Sequence, residues 1–152
     1  SWLYGEAESQ AWIDSFHTGF ALVSLKHLIG YLDERGWKAG LDSGYQFYEK
    51  RFFLADGAPG YYHDRLHPHD VHSSAQGVIT FVEMTDLMPN AKAMANRVVR
   101  WAIDELQDPT GFFYFQRHRF HTIKTSYMRW AQAWMLYALI LYLSRKRIIK
   151  NV

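Results

Sequence analysis

The chain contains no cysteine. This excludes a disulfide scaffold, thiolate-ligated zinc and a thiol nucleophile, and it fits a cytoplasmic protein. Proline is sparse, at 4 residues in 152, so long helices meet few obligatory breaks. Long apolar runs are missing as well. The most apolar stretch, Ala133 to Leu143, is eleven residues, far below the ~20 that span a bilayer. The first twenty residues lack the charged-then-apolar pattern of a secretory leader. Neither sign of charge dominates: the net charge is +2, which gives no field suited to nucleic acid. There is no Gly-x-Ser-x-Gly elbow and no phosphate-binding glycine loop.

What is abundant is aromatic. Phe, Tyr and Trp make up 17% of the chain, with 6 Trp, 10 Tyr and 10 Phe. At this density most belong in a core, and the remainder can wall a ligand site. The length fits a single domain, 1–152, able to bury that core. The one basic run, Arg145-Lys146-Arg147, closes the last helix and complements its negative end.

The stretch from His67 to Val82 organises the rest. It opens as a proline-containing loop and becomes a helix, with Val71, Ala75, Val78 and Val82 on one face and Asp70 at the N-cap. A related pattern lies on either side. Asp14, Asp70 and Ser126 are each separated by 56 residues, and all three are N-cap residue types. At the same offset Gly19, Ala75 and Ala131 align, as do Ala21, Gly77 and Ala133, and Gln76 matches Gln132. His17, Ser73 and Arg129 share one variable slot. This is an internal repeat, with approximate copies 1–55, 56–107 and 108–152. The chain begins at Ser1, without Met and inside a copy, as a piece of a longer protein would.

Helices are predicted over Ala11–Leu32, Tyr45–Leu54, Val71–Leu87, Ala91–Leu106 and from a cap at Thr125 or Ser126 to about Arg147. In the first, Phe16, Phe20, Val23 and His27 line one side. In the second, Tyr45, Tyr48, Phe52 and Phe53 form the stripe. In the fourth, Ala95, Val98, Val99, Ala102 and Leu106 point inward. Gly40 to Gly44 reads as a loop, and Ala55 to Gly60 and Asp108 to Gly111 as turns. Trp2-Leu3-Tyr4, Tyr61-Tyr62 and Phe112-Phe113-Tyr114 are short extended pieces in the same slot of each copy. Each copy is therefore a turn, an aromatic strand, an inner helix and an outer helix. A lone hairpin of that kind cannot bury its apolar face, so copies must stack. The fold class is all-α.

Helical hairpins of this length joined by aromatic turns resemble the α/α-toroid proteins: six-hairpin glycosidases, unsaturated glucuronyl hydrolases, sugar epimerases and the prenyltransferase and terpene-cyclase group. The segments Trp12 to Phe20 and Tyr127 to Trp134 look like those of toroid proteins linked to bacterial polysaccharide metabolism. The resemblance covers nearly the whole chain at the level of repeats and carries no active-site signature. The acidic repeats that hold magnesium in prenyl-diphosphate enzymes are missing. The resemblance implies a partial toroid in which the N-terminal ends of the inner helices open onto a central cavity. It places Asp14, His17, Asp70, His72, Tyr127 and Arg129 there. Two and a half copies do not close a ring of six hairpins, so a homo-oligomer or a missing N-terminal part would complete it.

Asp14 with His17, and Asp70 with His72, are acid–imidazole pairs at helix starts, suited to general acid–base work. A carboxylate pair is what glycoside hydrolysis uses. Asp at these positions serves equally as a plain N-cap. Arg129 suits a carboxylated sugar, or an internal salt bridge to Asp14 or Asp70. Together Asp14, His17, Asp70, His72 and Arg129 are the catalytic candidates. Trp12, Tyr62, Gln76, Tyr127, Trp130 and Gln132 are the substrate-binding ones. The two glutamines are equally suited to tying loops, and the aromatics, with Trp134, Tyr61 and Phe113, to the core. His63, His67, His69 and His72 crowd one loop, yet their spacing fits no metal motif; neither a metal nor another cofactor is expected, and a metal-dependent enzyme built on this loop stands as a third reading. The leading reading is a carbohydrate-active protein of hydrolase, lyase or epimerase type. The reading from a different class is a non-catalytic helical module that binds a polysaccharide or a partner protein.

Overall fold

Two aspartates set where the first inner helices begin. In the computed structural model, which describes residues 2–150 and side chains through residue 145, Asp14 and Asp70 are both extended. The Asp14 carboxylate accepts His17 N–H, and that of Asp70 accepts His72 and Ser73 N–H. Each cap satisfies donors that the first turn leaves open. The helices that follow are α1 (Ser15–Leu32), α2 (Lys38–Phe52), α3 (Val71–Glu83), α4 (Ala91–Leu106) and α5 (Trp134–Lys150). The pairs α1/α2 and α3/α4 are hairpins, and α3 packs against α1, α4 and α5. The molecule is thus largely helical, with α3 innermost.

Burial follows that placement. Every residue from Ser73 to Val82 is buried, as expected of a helix surrounded on all sides. Its polar members are mostly matched: Ser73 receives the Ser15 hydroxyl at 2.8 Å, Ser74 donates to Asp70 O, and Gln76 donates to Thr80 at 3.2 Å. Around α3 lie Tyr45, Tyr48 and Phe52 of α2, and Met94, Val98, Ala102 and Leu106 of α4. Burying side chains of this size contributes roughly 1.5–3 kcal/mol each. Met135 and Ala138 are buried on α5.

Several expectations are corrected. Residues 11–14 are not helical; α1 starts only after the Asp14 cap. Its core face is Ser15, Thr18, Gly19 and Leu22, whereas Phe20 is 54% exposed and His27 is exposed. Small residues let α1 approach its neighbours, and bulk is left outside. Gly40 to Gly44 belongs to α2, which ends at Phe52 before Leu54. A Cβ on Gly44 would sit 2.8 Å from Leu22, so this glycine is a point of close helix approach rather than a break. Helix α3 ends at Glu83, short of Leu87. Ser126 does not cap α5: the helix opens at Tyr127, without a side-chain cap, in a π-helical turn over Met128–Ala133. The Tyr127 carbonyl accepts from both Ala131 and Gln132 N–H. The basic run is helical throughout, and the side chains of Lys146 and Arg147 lie outside the described residues.

The Ala55–Gly60 turn is as read, with Gly57 at φ 100° against the Arg97 backbone. Extended segments bridge Tyr62 to Asp14 and Phe113 to Gln107. A small antiparallel sheet was not anticipated. Its strands β1 (His69–Asp70), β2 (Gln116–Arg117) and β3 (Thr122–Ile123) run in that order. The register sets Asp70 opposite Gln116 and Gln116 opposite Ile123. Strands of two residues carry no readable alternation. No helix among the described residues is long and apolar enough to cross a membrane.

Candidate functional site

The N-terminal ends of α1, α3 and α5 surround a cleft of about 400 Å³. Phe16, His17, Tyr61, Asp70, His72, Phe115, Gln116 and Trp130 line it. The buried Ser15–Ser73 hydroxyl pair ties the first turns of α1 and α3 together beside it. Ser15 N–H also donates to Tyr61 O, and Val71 N–H to Phe115 O. The aromatic walls are therefore fixed to the helix starts by backbone bonds.

On the α1 side, His17 Nδ1 lies 2.8 and 3.0 Å from the two Asp14 oxygens, and the Trp12 indole N–H donates to the same carboxylate at 3.1 Å. A carboxylate only accepts, so His17 carries its proton on Nδ1. In the neutral form of the ring, Nε2 is then the lone-pair-bearing nitrogen, on a half-exposed side chain lining the cleft. This is the carboxylate–imidazole arrangement that orients a general base.

On the α3 side the same cap does different work. Asp70 is 2% exposed. Besides its two backbone donors, it accepts the Gln116 amide at 2.7 Å, and Gln116 in turn accepts from His118 Nε2 at 3.2 Å. Burial pushes the Asp70 carboxyl up, and these hydrogen bonds oppose the shift. His72 does not touch Asp70 through its ring. The imidazole stacks at 3.8 Å between centroids on Phe16 and at 5.2 Å on Trp134, and its Nε2 has no protein hydrogen-bond partner. Burial first, and His17 second, bring its pKa down to about 4, while Asp14 opposes them. His72 is therefore a neutral imidazole at neutral pH. Burial and then the charges of Asp14 and Asp70 push the Tyr61 phenol up to about 12.

Of the residues singled out from sequence, the structure brings His17, Asp70, His72 and Trp130 to the cleft, with Asp14 directly behind His17. The others stand elsewhere. Trp12 braces Asp14 and stacks on Tyr4 at 4.8 Å. Tyr62 sits behind Tyr61 under Arg65. Gln76 is 1% exposed inside α3. Gln132 grips both backbone groups of Phe113, at 2.9 and 2.7 Å, so it ties a loop. Tyr127 packs edge-on against Phe115. Arg129 is exposed, lies outside the cleft lining, and makes no ion pair with Asp14 or Asp70. The π-turn gives the reason: the extra residue in the first turn breaks the phase that the 56-residue offset implied.

The histidine loop disperses. His69 is buried with Nδ1 2.7 Å from Pro59 O, His67 stacks edge-on against it, and His63 faces Ile13 O. Among the described residues no three His, Asp or Glu side chains come close enough to share a metal ion. Sequence reasoning missed Phe16, Phe115 and Gln116 as cleft residues, whereas Tyr61, weighed from sequence between sugar stacking and the core, lines the cleft. Only the sheet register could have pointed to Gln116.

No family model matches the chain, and no curated protein matches its sequence. A solved structure does. Cellobiose 2-epimerase from Bacillus thermoamylovorans superposes with a TM-score of 0.59 at 16% identity, over 70% of this chain and 30% of that one. At this identity the likeness shows the fold alone. The helices superpose on a part of that enzyme's α/α-toroid fold. The chain spans less than a third of that structure.

Proposed function

We propose that the cleft binds a saccharide and that its two imidazoles move protons on it, in chemistry of the epimerase or lyase kind. One observation carries this reading. Both carboxylates that a hydrolase would need are already engaged, Asp14 by His17 and Trp12, and Asp70 by two backbone donors and Gln116. What remains free in the cleft is imidazole. His17, oriented by Asp14, is the base, and neutral His72, packed on the same Phe16 ring, is a relay that takes a proton on one ring nitrogen as it releases the proton on the other. Phe16, Tyr61, Phe115 and Trp130 supply faces for a sugar ring. The similarity in fold to an enzyme acting on cellobiose is in keeping with this.

The test is proton exchange. The protein is incubated in D₂O with neutral and acidic disaccharides that have a free reducing end, and NMR follows the hydrogen next to the carbonyl and any elimination product. Deuterium incorporation or elimination is expected, with a drop of at least ~100-fold in His17→Asn and in His72→Phe. No turnover of any sugar by the unaltered protein sinks the catalytic reading. A second reading, a non-catalytic module that binds a polysaccharide or partner, is favoured by the apolar residues left exposed on α1 and α5: Phe20 at 54%, Tyr31 at 84%, Leu136 at 61% and Ile140 at 54%. It predicts saccharide binding or self-association without exchange.

A further inference from the structure

Next to the cleft, on the outer side of α5, lies a shallow groove of about 300 Å³ lined by Arg129, Ala133, Trp134 and Tyr137. Arg129, Ala133 and Tyr137 recur at every fourth residue, one face of the helix. Ala133, the small member, forms the low point between the guanidinium and the phenol. Trp134 is shared. Its ring meets His72 at 5.2 Å and Phe16 at 5.7 Å, and Tyr137 edge-on at 6.2 Å. One indole therefore separates the cleft from the groove.

Arg129 is the charged member of the groove. It is exposed and joins none of the ion pairs among the described residues. A guanidinium fork beside two aromatic rings, with no carboxylate of its own, matches a ligand that has apolar ring faces and a carboxylate. We propose that this groove is a second sugar subsite, selective for a carboxylated unit of an oligosaccharide whose neighbouring unit occupies the cleft. The assignment rests on the saccharide reading of the cleft and adds the class of substrate, an acidic oligosaccharide. The carboxylate pairs with Arg129, and the ring lies over Ala133 against Trp134 and Tyr137.

The experiment is isothermal titration of the protein with oligoglucuronates and with neutral cello-oligosaccharides of equal length, alongside NMR of the His17 and His72 rings. The acidic series is expected to bind about tenfold tighter or more. Arg129→Gln should remove that preference, bringing the acidic series down to the affinity of the neutral one. Arg129→Lys should fall between, because a point charge replaces a fork. Ala133→Leu should fill the groove and remove the preference without altering charge. Equal affinity for the two series, or a preference that survives both Arg129→Gln and Ala133→Leu, overturns the subsite while the cleft reading stands. Acidic binding that depends on Arg129 but leaves both imidazole signals unmoved keeps a carboxylate site at Arg129 and removes the cleft reading, and with it the two-unit arrangement. If neither series binds, both fall.

Discussion

Asp14 and Asp70 occupy the same local position, one residue before an inner helix and both extended, and both cap. Their surroundings separate them. Asp14 sits under a half-exposed imidazole and holds it; Asp70 is sealed by a strand, and the imidazole two residues on is turned away between Phe16 and Trp134. A capping rule fixes where a carboxylate lies, but the elements packed over it decide what else it holds. The Asp70 carboxylate ties chain segments together, and the His72 ring lies apart from it. On the α1 side, carboxylate and imidazole are hydrogen-bonded to each other.

The comparison is most easily broken by removing the caps. Asp70→Ala strands two backbone donors and the Gln116 amide in a buried place, and should cost about 3 kcal/mol in urea unfolding. Asp14 is as buried as Asp70, at 2% exposure, but it accepts one backbone donor instead of two, so Asp14→Ala should cost only about 1 kcal/mol, yet it should lower proton-exchange activity nearly as far as loss of His17. Equal destabilisation by the two would mean that the environments do not differ as described.

Titration sharpens it. Folded His72 has its pKa at about 4 against an ordinary 6.5, so between those values the unfolded chain takes a proton that the folded chain refuses. The stability that neutral His72 confers is complete above about pH 6.5 and falls as pH drops toward 4, with a slope of at most about one proton. Asp70 acts in the opposite sense. Its raised pKa means that the folded chain keeps a proton longer, so that contribution is present at low pH and lost as pH rises through the raised value. In His72→Phe the loss of stability between pH 6.5 and 4 should flatten, as read from thermal melts across pH; an unchanged profile would show the imidazole to be solvated. The smallest effect is expected from His118→Ala, about 0.5 kcal/mol or less. By freeing the Gln116 amide it should raise the Asp70 carboxyl further, seen by carbon-detected NMR.

Helices with strong periodicity were legible. Helix α4 begins and ends where its pattern says, and the Tyr45, Tyr48 and Phe52 stripe is buried as read. The caps at Asp14 and Asp70 were legible because their chemistry is local. Helix α1 was misread because its packing face is made of small residues, and apolar bulk outside a core looks the same in sequence as bulk inside one. Gly44 reads as a break because close helix packing leaves no mark in a single sequence, while Gly40 sits exposed in the first turn of α2 with open space around it. The sheet brings residues 69–70 against 116–117, and that pairing is tertiary. It placed Gln116 on Asp70, which no spacing announces.

The π-turn over Met128–Ala133 has a consequence for how the chain tolerates change in length. An α-helix turns about 100° per residue, and a π-turn spends one residue more on a single turn. The start of α5 thus behaves as a slack loop in a wound cord, holding one residue that contributes almost nothing to rotation. Deleting a single residue within this turn would take up the slack and leave Met135 and Ala138 seated in the core. The same deletion in the middle of α3 would swing every later side chain on that helix by about 100°. Variation in chain length is therefore most easily absorbed at the mouth of the cleft, beside Trp130, and least easily in the helix that carries His72.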